Sequence, residues 1–268
     1  MIHVKKGFAL SILLFSFLGC LMLVSAKSMA QGDLLIYPKR ITFEGSGRTQ
    51  QLNLSNNGKD TARYVISVIQ IRMKDDGSFE TINLPDSGQH FSDNNFRFFP
   101  RNVVLAPNEG QTVKIQLVKT NELEPGEYRS HIYFRAESEK KPLGEEKSKQ
   151  DSSISVRLVP VFGISIPVII RVGESTMDMS FSKIAFQLDK DTVPVLKMDL
   201  NRTGNMSVYG DISVDYISEQ GKVTRVAMAK GLAVYTPNAQ RHFRLLLDKN
   251  PEVNYHTGTL HIVFTDQS

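Results

Sequence analysis

Few residues in this chain have the type and spacing that chemistry demands. Beyond the first thirty positions the histidines are His90, His131, His242, His256 and His261. None stands at helical spacing from a second metal ligand, and His256 and His261, five apart in a strand-like stretch, point to opposite sides. The single cysteine, Cys20, excludes a multi-cysteine zinc cluster and a disulfide framework. The carboxylates sit mostly near turns, as in Asp75-Asp76 and Glu145-Glu146, where charge is solvated. No Gly-x-Ser-x-Gly, His-Glu-x-x-His, P-loop or dinucleotide fingerprint occurs. The sequence therefore offers no catalytic residue, no metal ligand set and no cofactor motif, and reads as a non-enzyme. The chemistry it leaves is that of main-chain pairing and side-chain burial.

The elements that would position such binding begin after residue 30. Lys5 and Lys6 precede an apolar run from Gly7 to Ala26, and Ser28-Met29-Ala30 supplies small residues at both ends of a cleavage triplet. This is the pattern of a secretory signal, with cleavage expected after Ala30. The run of about 20 residues would also suffice as an uncleaved anchor, and Gly19-Cys20 resembles the end of a lipobox. Residues 1–30 hold Lys5, Lys6 and Lys27 and no acid, so of the formal +4 only +1 belongs to the processed chain. That near balance, with no aromatic-basic stripe, excludes nucleic acid as a partner suggested by the pI of 9.0. A hydrophobic content of 41% with 22% charge is that of a globular chain.

Short apolar runs are separated by turn residues: Leu34–Tyr37, Ile41–Phe43, Gln51–Leu54, Ala62–Met73, Val113–Leu117 and Tyr128–Ala136. Asn56-Asn57-Gly58, Asp75-Asp76-Gly77 and Pro125-Gly126 punctuate them. No stretch of twelve or more shows a 3.6-residue period. The fold class is therefore all-β, as two immunoglobulin-like sandwiches in tandem. Residues 138–153 are charged, without aromatic or β-branched residues, and read as a solvated, mobile loop. Directly after it Ile154, Val156, Leu158, Phe162, Ile164, Ile166, Val168 and Ile170 share one parity, which makes 154–170 one long period-two strand. Pro160 and Pro167 place at least part of it on a sheet edge. Such an apolar edge is either buried in its own sandwich or covered by another chain, a second copy included. A second series of seven candidate strands follows, from Phe181 to Phe264, including Val223–Ala227 and Leu232–Tyr235. The domains expected are 31–171 and 172–268.

Several of these segments together resemble the periplasmic pilus-assembly chaperones, the PapD-like family. Pro38-Lys39-Arg40-Ile41-Thr42-Phe43-Glu44-Gly45 resembles the family's first strand. Leu52-Asn53-Leu54-Ser55-Asn56-Asn57-Gly58 resembles its second strand and turn. Phe98-Phe99-Pro100-Arg101 and Val104 to Val113 resemble its Pro/Leu/Pro-Gly/Gln-x-Val section. The resemblance covers residues 34–171 by motif and the second domain by pattern alone.

The resemblance implies a periplasmic chaperone that lends a strand to fimbrial subunits lacking their own last strand, with pilins and an outer-membrane usher as partners. It implies that Ile154, Val156 and Leu158 fill the subunit's groove and that Arg40 anchors the subunit's terminal carboxylate, bidentately. The family's second anchor is a lysine on the strand entering the cleft. Here Val161 to Pro167 holds no lysine, and Gly163 or Ser165, near that position, offers a backbone or hydroxyl donor in its place. In Tyr128-Arg129-Ser130 an arginine stands where the family has a glutamate of an interdomain ion-pair network. This reversal of sign implies that domain orientation is held differently. The rival expectations are a secreted structural or adhesive protein and a carbohydrate-binding module.

Overall fold

The computed structural model describes residues 34–137, 162–189 and 193–267. The segments read as signal, charged loop and first half of the long strand lie outside the described residues, Ile154, Val156 and Leu158 included. Among the described residues the chain is all-β, arranged as two sandwiches, with a single 3-10 turn at Asp93–Asn95.

In the first sandwich β1 (Leu34–Tyr37), β2 (Ile41–Phe43), β3 (Thr49–Asn56), β4 (Ala62–Met73) and β5 (Phe79–Ile82) come first. They are followed by β6 (Phe96–Phe99), β7 (Asn102–Leu105), β8 (Gly110–Leu117), β9 (Gly126–Glu137) and β10 (Gly163–Val172). One sheet has the order β1-β3-β8-β6; the other runs β2-β10-β9-β4-β5, with β7 also paired to β4. Period-two alternation sets the faces. Leu52 and Leu54 on β3, Val113 and Ile115 on β8, and Ile132 and Phe134 on β9 are buried in the core, between polar neighbours on β3 and β8. The even-numbered residues of β10, Ile166, Val168 and Ile170, join that core, with Ile164 packed against it. These three buried side chains of Val or Ile size contribute about 1.5–3 kcal/mol each, so this parity is strongly fixed.

The second sandwich is made of β11 (Asp178–Asp189), β12 (Val193–Thr203), β13 (Val208–Ile217), β14 (Val223–Val234), β15 (Gln240–Leu246) and β16 (Thr259–Asp266). Its sheets are β11-β12-β15 and β14-β13-β16, closed over Leu196, Leu200, Ile212, Val214 and Val226. Val223–Ala227 and Leu232–Tyr235, expected as two strands, are one continuous β14 apart from Tyr235, which lies just past its end. Register shifts against β13 at Gly210/Ile212 and Val214/Asp215 absorb the break in alternation, so the strand continues where the sequence pattern falters.

The turn joining β12 to β13 is tightly built. Arg202 is buried and its guanidinium donates to the carbonyls of Gly204 (2.7 Å), Met206 (3.0 Å) and Asn238 (2.8 Å). Gly204 has φ +83°, and a Cβ there would overlap the Thr176 carbonyl oxygen. Backbone at both sides leaves no flexible atom to yield. Gly204→Ala should therefore cost about 2 kcal/mol or more, read as a lowered urea midpoint with unchanged slope.

Candidate functional site

β1 and β2 belong to different sheets, and the chain crosses between them at Pro38-Lys39-Arg40. Both basic residues are thereby delivered to the corner of the first sandwich that faces the second. β2 then pairs with β10 in parallel, and only through Val168–Ile170. β9 covers the other side of β10 along its whole length, from Gly163 to Val172. On the side away from β9, residues 163–167 have no strand partner among the described residues. This free edge runs toward Ile41, which sits opposite Val168, and so ends beside Arg40.

β9 is buried on both faces over Gly126–Ile132. Its even-numbered residues face the core, and the second sandwich covers Glu127, Arg129 and His131. Glu127 is the hub. It accepts from Arg129 Nη2 (2.5 Å), Arg171 Nε (3.2 Å), the Ser207 hydroxyl (2.6 Å) and the Ser207 backbone N–H (3.1 Å). Burial alone would raise its pKa; Arg129, Ser207 and Arg171 outweigh that and hold it at about 2. Arg171 also donates to Glu44 and to the Ser207 carbonyl. Farther along, the β4–β5 hairpin touches the second sandwich: the His242 N–H donates to the Asp75 carbonyl and Asn238 to that of Met73.

The sequence reading placed an arginine at 129 in place of an acid and expected the sign of the network to be reversed. The structure shows a carboxylate, Glu127, two residues earlier, paired with Arg129 and Arg171. Residues 127 and 129 share a face of β9, so acid and base lie side by side rather than one replacing the other.

Between the sandwiches lies a cavity of about 260 Å³. Lys39, Arg40 and Arg129 supply its cations and Phe79, Tyr209 and Tyr235 its rings. Arg129 lies over the Tyr235 ring at 3.6 Å and Arg40 over that of Tyr209 at 4.0 Å. Burial, then Arg129 and Arg171 nearby, lower the Arg40 pKa. Its Nη1 is buried and has no hydrogen-bond partner among the described residues. Glu127 favours the Arg40 charge without a hydrogen bond to it, so this buried donor stays unsatisfied, a cost that an incoming acceptor would remove.

Of the residues singled out in the sequence, the structure brings Arg40 to this cavity. Gly163 and Ser165 are exposed on the free edge of β10, and the residue of that strand which lines the cavity is Pro167. A Cβ at Gly163 would strike the Tyr133 ring. The sequence reading missed Lys39, Phe79, Tyr209 and Tyr235. Lys39 was legible as the neighbour of Arg40; the aromatic residues come from distant elements and only the fold unites them. Among the described residues no cluster of three or more His, Cys, Asp or Glu could hold a metal ion.

No protein-family model and no curated protein sequence matches the chain. Solved structures do. The chain is similar to the YadV chaperone at 12% identity, over 87% of this chain and 92% of that one, with a TM-score of 0.44. It is similar to the CsuC–CsuE chaperone–tip subunit pre-assembly complex of Acinetobacter baumannii at 12% identity, over 87% and 93%, with a TM-score of 0.44. It is similar to the Salmonella enterica SafA pilin in complex with the SafB chaperone at 14% identity, over 81% and 84%, with a TM-score of 0.41.

Proposed function

We propose that this chain is a periplasmic chaperone that holds fimbrial subunits by lending them a strand and gripping their terminal carboxylate. The observation that carries this reading is the junction of two features incomplete among the described residues: an unpaired strand edge and, at its end, a half-buried arginine whose buried Nη1 has no hydrogen-bond partner. Edge residues 163–167 offer main-chain groups to an incoming strand. Because β2 takes over that edge at Val168 and runs parallel to β10, a strand added in line with β2 and in the same direction would end at Arg40. Its free carboxylate would meet the Nη1 that nothing else satisfies. Ile154, Val156 and Leu158 are proposed to extend the lent strand and fill the subunit's groove, their parity matching the core-facing residues of β10. An outer-membrane usher would receive the complex.

Arg40→Ala should weaken the complex about 10–100-fold, the range of one or two hydrogen bonds to a charged group. Folding stability should be unchanged or raised, since the guanidinium is poorly paired in the free protein. The measurement is co-purification from the periplasm with co-expressed candidate subunits, alongside thermal melting of each variant alone. Val156→Asp combined with Leu158→Asp should abolish the complex. Persistence of the complex in Arg40→Ala at wild-type yield would remove the carboxylate grip and leave strand lending. Absence of any soluble subunit complex, with the protein itself on the cell surface, would establish the structural or adhesive alternative.

A further inference from the structure

The cavity at Arg40 is much larger than a carboxylate needs. A water occupies about 30 Å³ in the liquid, and an apolar cavity of about 150 Å³ admits benzene. The space here, about 260 Å³, accommodates both a carboxylate and a ring. Its walls divide accordingly. Arg40 and Lys39 lie on the β1–β2 crossing, and Phe79, Ala233 and Tyr235 line the rest. Arg129 occupies a face of Tyr235, and Arg40 lies over Tyr209. Phe79 is different. It is the first residue of β5, remains 56% exposed, and meets Tyr235 at 5.6 Å with the rings tilted by 38°. It belongs to neither core cluster. It is an apolar surface held at the cavity's mouth by the hairpin that bridges to the second sandwich. The charge of the cavity fits the same ligand: among the described residues Arg40 feels Glu127 only at a distance, and neither it nor Lys39 forms an ion pair with a carboxylate.

We propose that the cavity selects the chain end it receives, taking a free carboxylate carried on a bulky apolar, preferably aromatic, terminal residue whose side chain packs on Phe79. This rests on the anchoring role of Arg40 and goes beyond it by naming the residue type at the partner's end. Phe79 is then the specificity-determining residue and Lys39 the second cation beside the carboxylate. Burying an exposed ring against a second ring yields a preference that a carboxylate alone cannot give.

The test uses the processed chain purified from the periplasm and fluorescein-labelled ten-residue peptides of alternating Thr and Val. Three ends are compared by fluorescence anisotropy: Phe with a free carboxylate, Ala with a free carboxylate, and Phe amide. The Phe acid should bind at least about tenfold tighter than the Ala acid, and the amide at least about tenfold weaker than the Phe acid. Phe79→Ala should reduce the Phe-over-Ala ratio to about twofold, and Phe79→Leu should retain part of the ratio. Equal binding of the Phe and Ala acids, with the amide still weak, overturns the side-chain selection and leaves the anchor standing. Equal binding of acid and amide overturns the anchor and the selection together. Failure of every peptide to bind overturns the selection, and the co-purification of Arg40→Ala then decides the anchor by itself.

Discussion

Replacing Glu127 by alanine should cost about 3–5 kcal/mol, the range for removing one partner of a buried ion pair. The reason lies in what remains. Arg129 and Arg171 side chains are 6% and 7% exposed; Arg129 would keep its charge with no carboxylate to meet it, and Arg171 would be left with the half-exposed Glu44 alone. Ser207 would lose the acceptor for its hydroxyl and its N–H. Because Ser207 and Arg171 stand on different sandwiches, the loss falls on the interface rather than on either core. Urea unfolding followed by two probes, one in each sandwich, should therefore give coincident transitions for the wild type and resolve two for Glu127→Ala. Glu127→Gln, which keeps the shape, should fall between. A single coincident transition in Glu127→Ala with an unchanged midpoint would refute this account. The pH dependence has a definite sign. A carboxyl held at about 2, below its ordinary value of about 4.5, stabilises fully above 4.5, and that stabilisation is lost as pH falls toward 2.

His131 should make the protein acid-sensitive over an earlier range. Its ring is 3% exposed, its Nδ1 has no hydrogen-bond partner among the described residues, and Tyr235 lies 6.3 Å away across the interface. Burial first, and then the Arg129 charge, push its pKa down to about 3. The folded protein thus keeps a neutral ring where the unfolded chain takes up a proton near pH 6.5. Stability from this group is complete above pH 6.5 and declines as pH falls toward 3, at up to about 1.4 kcal/mol per pH unit. Between pH 6.5 and 4.5 the loss is about 2 kcal/mol, before Glu127 begins to titrate. His131→Phe should flatten urea midpoints over that interval and leave the decline below pH 4.5 in place. If the variant keeps the wild-type slope between pH 6.5 and 4.5, His131 is not its source.

How much of this was legible in the sequence depends on the range of the interaction. Alternation along one strand was enough for β3, β8, β13 and the inward face of β10, because a period of two is a local property. β5 and β6 are short, and their outward residues are apolar or charged without alternation, so only pairing with β4 and β8 defines them. The merged β14 shows the converse. Lys230-Gly231 looks like a terminator, but β14 carries the pair as a bulge opposite Asp211 and goes on pairing with β13. At the site, Arg40 was reached by resemblance of its flanking residues to a family's first strand. Its unsatisfied Nη1 was not reachable, since that depends on which carboxylates the fold gives to other arginines. Glu127 was overlooked for the same reason: its partners are at 129, 171 and 207, and two of those three are remote in sequence.

Arg129 has two occupations at once. One edge of its guanidinium binds Glu127 and Ser207 across the two sandwiches, while its plane lies on Tyr235 in the cavity wall. An anion entering the cavity therefore changes the electrostatic surroundings of a group that also fastens the sandwiches together. Ligand affinity and interdomain rigidity become linked quantities, and linkage is reciprocal. Under the proposed function, whatever the junction does to the affinity for a chain end, a bound chain end does to the junction by the same free energy. If a chain end does bind at Arg40, a partner that shifts the two sandwiches relative to one another would alter that binding through Arg129, without touching the edge of β10.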